Sequence, residues 1–167
     1  QRCCLARAQL IDVMCTCTGP NFVAPCSPEK QRELMRPNII WEEIEEIAQE
    51  CLSLEGKPEE ASAQGYGDFT KPTLAYGISK ALLNCYTMFL AAKYPHLQIN
   101  AMSPGFIETE LTAPLVTRMG KTAQEMGMKS PAEGTVAAMY LLFDGHIVGN
   151  GHYYGSDAIR SPLHKYR

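Results

Sequence analysis

Apolar positions fall into two short runs separated by longer patterns of helical period. Residues 10 to 18, LIDVMCTCT, form a β-tolerant run closed by Gly19-Pro20 and predict a buried strand. The following PNFVAPCSPEKQREL carries three prolines in nine residues and is expected to open as loop, with a helix starting after Ser27 and Pro28 at its first position. In IIWEEIEEIAQECLSL (39 to 54), Ile40, Ile44, Ile47, Cys51 and Leu54 recur every three or four residues while the acids face away. That is an amphipathic helix with a solvated acidic side, stopped by Gly56. GKPEEASAQGYGDFTKP is polar and glycine-rich and predicts a loop. From Leu74 to about Lys93 helical spacing returns, with Ile78, Leu82, Cys85, Phe89 and Ala92 expected in one stripe.

LQINAMS (97 to 103) is the second short apolar run, ended by Pro104-Gly105, and predicts another buried strand. A loop rich in turns and methionines follows. In SPAEGTVAAMYLLF, Ser130, Pro131 and Glu133 occupy the cap, first and third positions of a helix, a capping box with proline where its missing N–H costs nothing. VGNGHYYGSDA predicts turn, short strand, turn. The order strand, long excursion, helix, strand, helix, strand is that of an α/β fold with parallel strands joined by crossovers. It yields three strands, fewer than most open doubly wound sheets, so part of a sheet is expected. No internal repeat is evident.

Composition narrows the function classes. The 167 residues are 46% hydrophobic and 20% charged, with a net charge of −3 and a pI near 5.8. Nothing there calls for nucleic acid or an anionic membrane as partner. The longest apolar stretch, VAAMYLLF (136 to 143), is far shorter than the roughly 18 residues that span a bilayer. QRCCLARAQLIDV has neither the sustained apolar core nor the small-residue cleavage site of a signal peptide. The chain lacks an initial methionine, and a start within a longer protein is expected. Seven cysteines, odd in number and scattered, do not form a secreted disulfide framework. Cys3-Cys4 with Cys15 and Cys17 could be four soft ligands, but CxC lacks the two-residue spacer usual for zinc. Reduced, partly buried thiols and a cytoplasmic location are the expectation, with no metal site.

The candidate chemistry lies in LAYGISKALLNCYTMFLAAKYPHLQINAMSPGF (74 to 106). Tyr76 and Lys80 are one helical turn apart and project from one face. A phenol with a pKa near 10 is a poor proton shuttle at neutral pH, and a cation within about 4 to 6 Å lowers such a value by about 1 to 3 units. That brings it into working range for acid–base catalysis. By itself the pair is more often a surface Tyr/Lys couple. Ser79, the small neighbours Ala75, Gly77 and Ala81, and NAMSPGFIET (100 to 109) add context. Pro-Gly at the carboxyl end of a parallel strand lies where ligands bind in open α/β sheets.

YGISK followed by NAMSPGFIET resembles the active-site helix and nicotinamide loop of the short-chain dehydrogenase/reductase family. The resemblance runs from about residue 10 onward. It implies a Rossmann-like doubly wound parallel sheet in one partial domain, truncated at its N-terminal side. Residues 10–18 are then a strand, about 27–72 a helical insertion, 74–94 the catalytic helix, and 97–109 a strand with the nicotinamide loop. It also implies NADPH-dependent reduction of a ketone or aldehyde, a small-molecule carbonyl substrate, with NADH as the alternative cofactor. Tyr76 is the implied proton donor, Lys80 its activator and ribose ligand, and Pro104, Gly105, Ile107 and Thr109 line the nicotinamide. The family's catalytic serine falls on Thr16, with Thr18 as the alternative register. A threonine there keeps a hydroxyl for the carbonyl oxygen but adds a methyl that stiffens χ1; it could equally be a plain strand residue.

The long interval from Thr16 to Tyr76, with CSPEKQ and an acidic helix, is similar to the monomeric carbonyl reductases. In these the inserted helix covers a self-association surface, so a monomer is implied. Ala113 to Met128, with Met119, Met126 and Met128, falls on the variable substrate lid, where methionines give an adaptable apolar surface or ordinary packing. The family's glycine-rich phosphate turn has no counterpart. GYG (65 to 67) and GNG (149 to 151) lack the preceding strand and following helix and are expected to be plain turns. The competing expectation is therefore an inactive remnant, or a chain that pairs its open sheet edge with a partner.

Overall fold

Two five-residue strands, β1 (Ile11–Cys15) and β2 (Gln98–Met102), lie side by side in parallel, with Ile11 opposite Gln98 and Cys15 opposite Met102. The computed structural model describes residues 11–15, 19–144, 147 and 149–162. Beyond β2, Tyr153–Tyr154 (β3) pairs in parallel with Ala101 and Met102, and Arg160–Ser161 (β4) returns antiparallel beside β3. The sheet order is β1-β2-β3-β4. The fourth strand was not expected: two residues are too short to leave a periodicity.

Between β1 and β2 run five helices: α1 (Gly19–Val23), α2 (Pro28–Leu34), α3 (Trp41–Ser53), α4 (Pro58–Ala63) and α5 (Leu74–Lys93). After β2 come α6 (Ala113–Met119), α7 (Pro131–Gly134) and α8 (Val136–Phe143). Residues 99 to 102 of β2 are buried throughout, as a strand covered on both faces must be. Met102 packs with Ala137 and Leu141 of α8, and α5 packs against β1 and β2. The chain has the mixed α/β, parallel-sheet architecture expected of a Rossmann-like fold.

Local signals explain several boundaries. Ser27 Oγ accepts the Lys30 N–H at 3.2 Å with Pro28 behind it, so α2 starts where expected. At α7 the Ser130 and Glu133 side chains cap each other's backbone. α3 buries Ile44, Ile47 and Cys51, with Leu54 beyond it, but Ile40 stands half exposed as the residue before the first turn. Two expected loops contain helices. Gly19–Val23 is a short turn of helix with Pro20 in its first turn, and it backs onto α5: a Cβ on Gly19 would lie 3.0 Å from the Lys80 carbonyl oxygen. α4 forms within the polar stretch around Ala61, which is fully buried.

The insertion is locked to α5 by apolar packing and by one polar knot. Phe22, Tyr66 and Phe69 cluster with ring centroids 5.5 to 6.3 Å apart. The Lys30 ammonium lies 2.8 Å from Glu33, 3.2 Å from Glu50 and 4.5 Å over the Tyr66 ring, and Tyr66 donates to the same Glu50 oxygen at 2.5 Å. Burial works against the lysine's charge, yet the hydrogen bonds and charges of the two carboxylates outweigh it and raise its pKa. The stripe on α5 also differs in phase from expectation. Its buried line is Gly77, Ala81, Asn84, Cys85, Met88 and Ala91, while Ile78, Leu82 and Phe89 flank the core. Small residues occupy the line of closest backbone approach, and the larger ones fill the sides.

Candidate active site

α5 ends at Lys93, five residues before β2 begins, so it runs back across the sheet and its first turns reach the carboxyl end of the strands. Tyr76 sits in the first turn with 48% of its surface exposed. The Lys80 ammonium lies 5.5 Å from the centroid of the Tyr76 ring. Both side chains therefore share one face, as their spacing requires, and the cation lies within range of the phenol. Ser79 Oγ donates to the Tyr76 carbonyl at 2.8 Å and is occupied in the helix itself. Gly77 meets Phe22, and a Cβ on Gly19 would lie 2.6 Å from Asn84 Nδ2. The chain leaving the β1 end is thus pressed against the second and third turns of α5.

Thr16 and its alternative Thr18 lie outside the described residues. Cys15, the end of β1, is paired with Met102, so the strand ends that precede Thr16 and Ser103 are neighbours.

Past β2, Ser103 is fully buried and its Oγ accepts the Gly105 N–H at 3.1 Å. Gly105 adopts φ +87°, which L side chains rarely take, and a Cβ there would lie 3.1 Å from Ser156 Cβ. The loop is stitched on both sides of Ile107: Lys129 N–H donates to Phe106 and Glu108 N–H donates to Lys129, at 2.8 and 2.9 Å. Lys129 Nζ donates to Ser156 Oγ at 2.8 Å. Ile107 packs under Gly134, where a Cβ would come within 2.8 Å of Ile107 Cδ1. Thr109 closes the loop, with its N–H on Thr112 Oγ1 at 2.9 Å and the two hydroxyls 3.3 Å apart. Pro104, Gly105, Ile107 and Thr109 thus belong to one braced loop. Tyr76 with Lys80 reaches the same end of the sheet by way of α5.

Residues outside the sequence expectation also shape this region. Lys129 and Ser156 brace the loop from 27 positions apart, and no local spacing links them. Asn84 is buried with neither its Nδ2 nor its Oδ1 hydrogen-bonded among the described residues, directly beside Gly19. Its signal was present as the one amide in an apolar helix face.

The residues fit the nicotinamide end of a dinucleotide, with a side-chain-free Gly105 and a neighbouring cation at a strand's carboxyl end. They do not fit its phosphates. The glycines of GYG pack on Ser27 and Pro25, at 2.5 and 2.6 Å from a built Cβ, and Gly151 of GNG packs on Ala91 at 3.2 Å. Both are structural turns, as expected. No group of metal-ligating side chains is found among the described residues. Nor is any described helix long and apolar enough to cross a membrane.

No protein-family model matches the chain. It is 46% identical over 57 residues to Short-chain dehydrogenase/reductase 1 of Saponaria officinalis, covering 34% of this chain and 18% of that protein. It is 33% identical over 96 residues to (+)-neomenthol dehydrogenase of Arabidopsis thaliana, covering 56% and 29%. Salutaridine reductase of Papaver bracteatum is 51% identical over 37 residues, 22% of this chain and 12% of the relative. The solved structure of salutaridine reductase from Papaver somniferum superposes on 87% of this chain and 44% of that chain, with a TM-score of 0.58 and 21% identity, a likeness of fold. The matches thus span less than a third of each of these curated relatives. Together with the parallel sheet, these likenesses show that the chain resembles reductases of the short-chain dehydrogenase/reductase family in its fold and over part of its sequence.

Proposed function

We propose that this protein contributes the catalytic half-site of an NADPH-dependent reductase acting on a ketone or aldehyde carbonyl. The observation that carries the reading is the Lys80 ammonium 5.5 Å over the ring of a half-exposed Tyr76, at the ligand-binding end of a parallel sheet. When bound, NADPH supplies a hydride to the carbonyl carbon and leaves as NADP⁺. Tyr76 gives its phenolic proton to the carbonyl oxygen, and solvent returns one to the phenolate. Lys80 stabilises that phenolate by its charge and holds the nicotinamide ribose. Thr16 orients the carbonyl, and Pro104, Gly105, Ile107 and Thr109 hold the nicotinamide, Gly105 by offering bare backbone. NADH is the alternative hydride source. α3, packed over α5, covers a helix face that would otherwise be free for self-association, which supports a monomer. The thiols of Cys26, Cys51 and Cys85 are buried and unbridged, in keeping with the cytoplasm.

A second reading is supported by the packed glycines of GYG and GNG, which leave no phosphate cradle among the described residues. In it the chain is a non-catalytic remnant of the family, or pairs its β1 edge with a partner. Calorimetry of NADPH binding to the purified chain separates the two. The reductase reading expects micromolar binding that Lys80→Ala weakens, with turnover of small carbonyls falling about 10²- to 10⁴-fold in Tyr76→Phe. No binding up to millimolar cofactor would establish the remnant.

A further inference from the structure

At the far end of α5 lies a second concave region, a groove of about 810 Å³ between the end of α2, the last turns of α5 and the β3–β4 hairpin. Ala91 is fifteen residues beyond Tyr76, about 22 Å along the helix. The groove also lies at the β4 side of the sheet, away from β1. It is therefore separate from the site of Tyr76 and Lys80, and its volume falls in the range of small-molecule sites, about 300 to 1,000 Å³.

Its chemistry is lopsided. Met35, Met88, Ala91 and Ala92 supply an apolar wall in which two thioethers can adapt to a ligand's shape and two small side chains leave room. His152 and Arg160 are the basic lining residues, and no carboxylate is among the lining residues. Arg160 is exposed and makes no ion pair among the described residues. His152 Nδ1 is buried without a hydrogen-bond partner among the described residues, an unfavourable condition that a ligand group could relieve. Burial first, and the Arg160 charge second, push the His152 pKa below its ordinary value, so the imidazole is neutral near pH 7 and Arg160 holds the charge. The neighbouring rim is fixed: Asn150 donates to the Leu97 carbonyl at 2.7 Å and accepts from Ile99 N–H at 2.6 Å.

We propose that this groove binds an amphiphilic carboxylate, with its aliphatic or aromatic body against Met35, Met88, Ala91 and Ala92 and its head on Arg160. The planar guanidinium pairs with a carboxylate through two parallel hydrogen bonds, which a neutral head cannot reproduce.

Calorimetry on the full chain with decanoate, and with decanol as the neutral-headed control, tests this. Decanoate is expected to bind at least fivefold more tightly than decanol. Arg160→Gln should remove that preference, weakening decanoate fivefold or more and leaving decanol unchanged. Ala92→Phe, which fills the groove at a helix position that accepts an aromatic, should abolish both. Equal binding of the two probes, a smaller loss in Arg160→Gln, or no binding at millimolar decanoate overturns the proposal and leaves a crease without a ligand. Because Arg160 is exposed, its variant should fold, and circular dichroism verifies this. The result does not depend on NADPH binding, so it stands whether or not the chain is a reductase.

Discussion

On the α5 face of the sheet, one buried cluster runs from Phe22 to Met88 and draws on α1 to α5, whereas the cluster at α8 comprises Met102, Ala137, Leu141 and Tyr154 among the described residues. The contrast continues into the connections. The insertion before α5 buries residues in every helix, while α6, beyond the loop at Gly105, buries none, and Leu111 beside it is 89% exposed. The difference shows where this chain invests its packing. The insertion is a rigid brace behind Tyr76 and Lys80. The loop after β2 is held by backbone hydrogen bonds, by the Ser103 and Thr112 hydroxyls, by Lys129 and by Ile107 against Gly134, and the α6 segment beyond it is suited to adapting around a bound molecule.

The largest perturbation should come from the brace. Leu54→Ala empties a site 1% exposed and is expected to cost about 2 to 5 kcal/mol in urea denaturation. A loss below about 1 kcal/mol would show that the insertion packs loosely and remove the contrast. Next is an alkaline decline on the same side. Burial pushes the Cys51 thiol up to about 11 and the Cys85 thiol up to about 12, from an ordinary value of 9.0. Unfolded thiols therefore lose their protons first. The stability from burying them neutral is complete below pH 9 and is lost as pH rises toward the folded values. Each contributes a fall of about 1.4 kcal/mol per pH unit in that window, and Cys85→Ala should remove one such share from the slope of stability against pH.

On the looser side, Gly105→Ala places a Cβ at φ +87° and 3.1 Å from Ser156 Cβ. A cost of about 1 to 2 kcal/mol is expected from the backbone alone, visible as a lowered melting temperature. No change would mean the loop shifts freely and that the Lys129 brace does not fix it. The smallest effect is expected at Leu111→Ser, within about 0.5 kcal/mol in the same denaturation measurement. A larger loss would reveal a packed partner for that leucine and sharpen the account of the loop.

How much of this was legible depended on the range over which each signal acts. The bounds of α5, the start of α2 at Pro28 and the capping box at Ser130 were readable because period and caps are local. So was the shared face of Tyr76 and Lys80. α1 was missed because its helical turn comes from close contact with Lys80 and Asn84, far away in sequence. The phase of the α5 stripe does not follow side-chain size: Ile78 and Phe89 flank the core, while Gly77 and Ala81 lie at the closest approach. The Lys129–Ser156 brace and the groove at Arg160 form only when β3 and β4 close the sheet, and no window of sequence contains them.

The hairpin of β3 and β4 also governs how copies could add to one another. Its outer strand has two residues and is followed by Pro162, so it presents little ladder for another strand to extend. Among the described residues β1 occupies the other edge. Among the described strands, growth by strand addition thus has one usable end. Two chains meeting through their β1 edges would consume both ends at once, and such assembly would terminate at a pair instead of lengthening into a fibre.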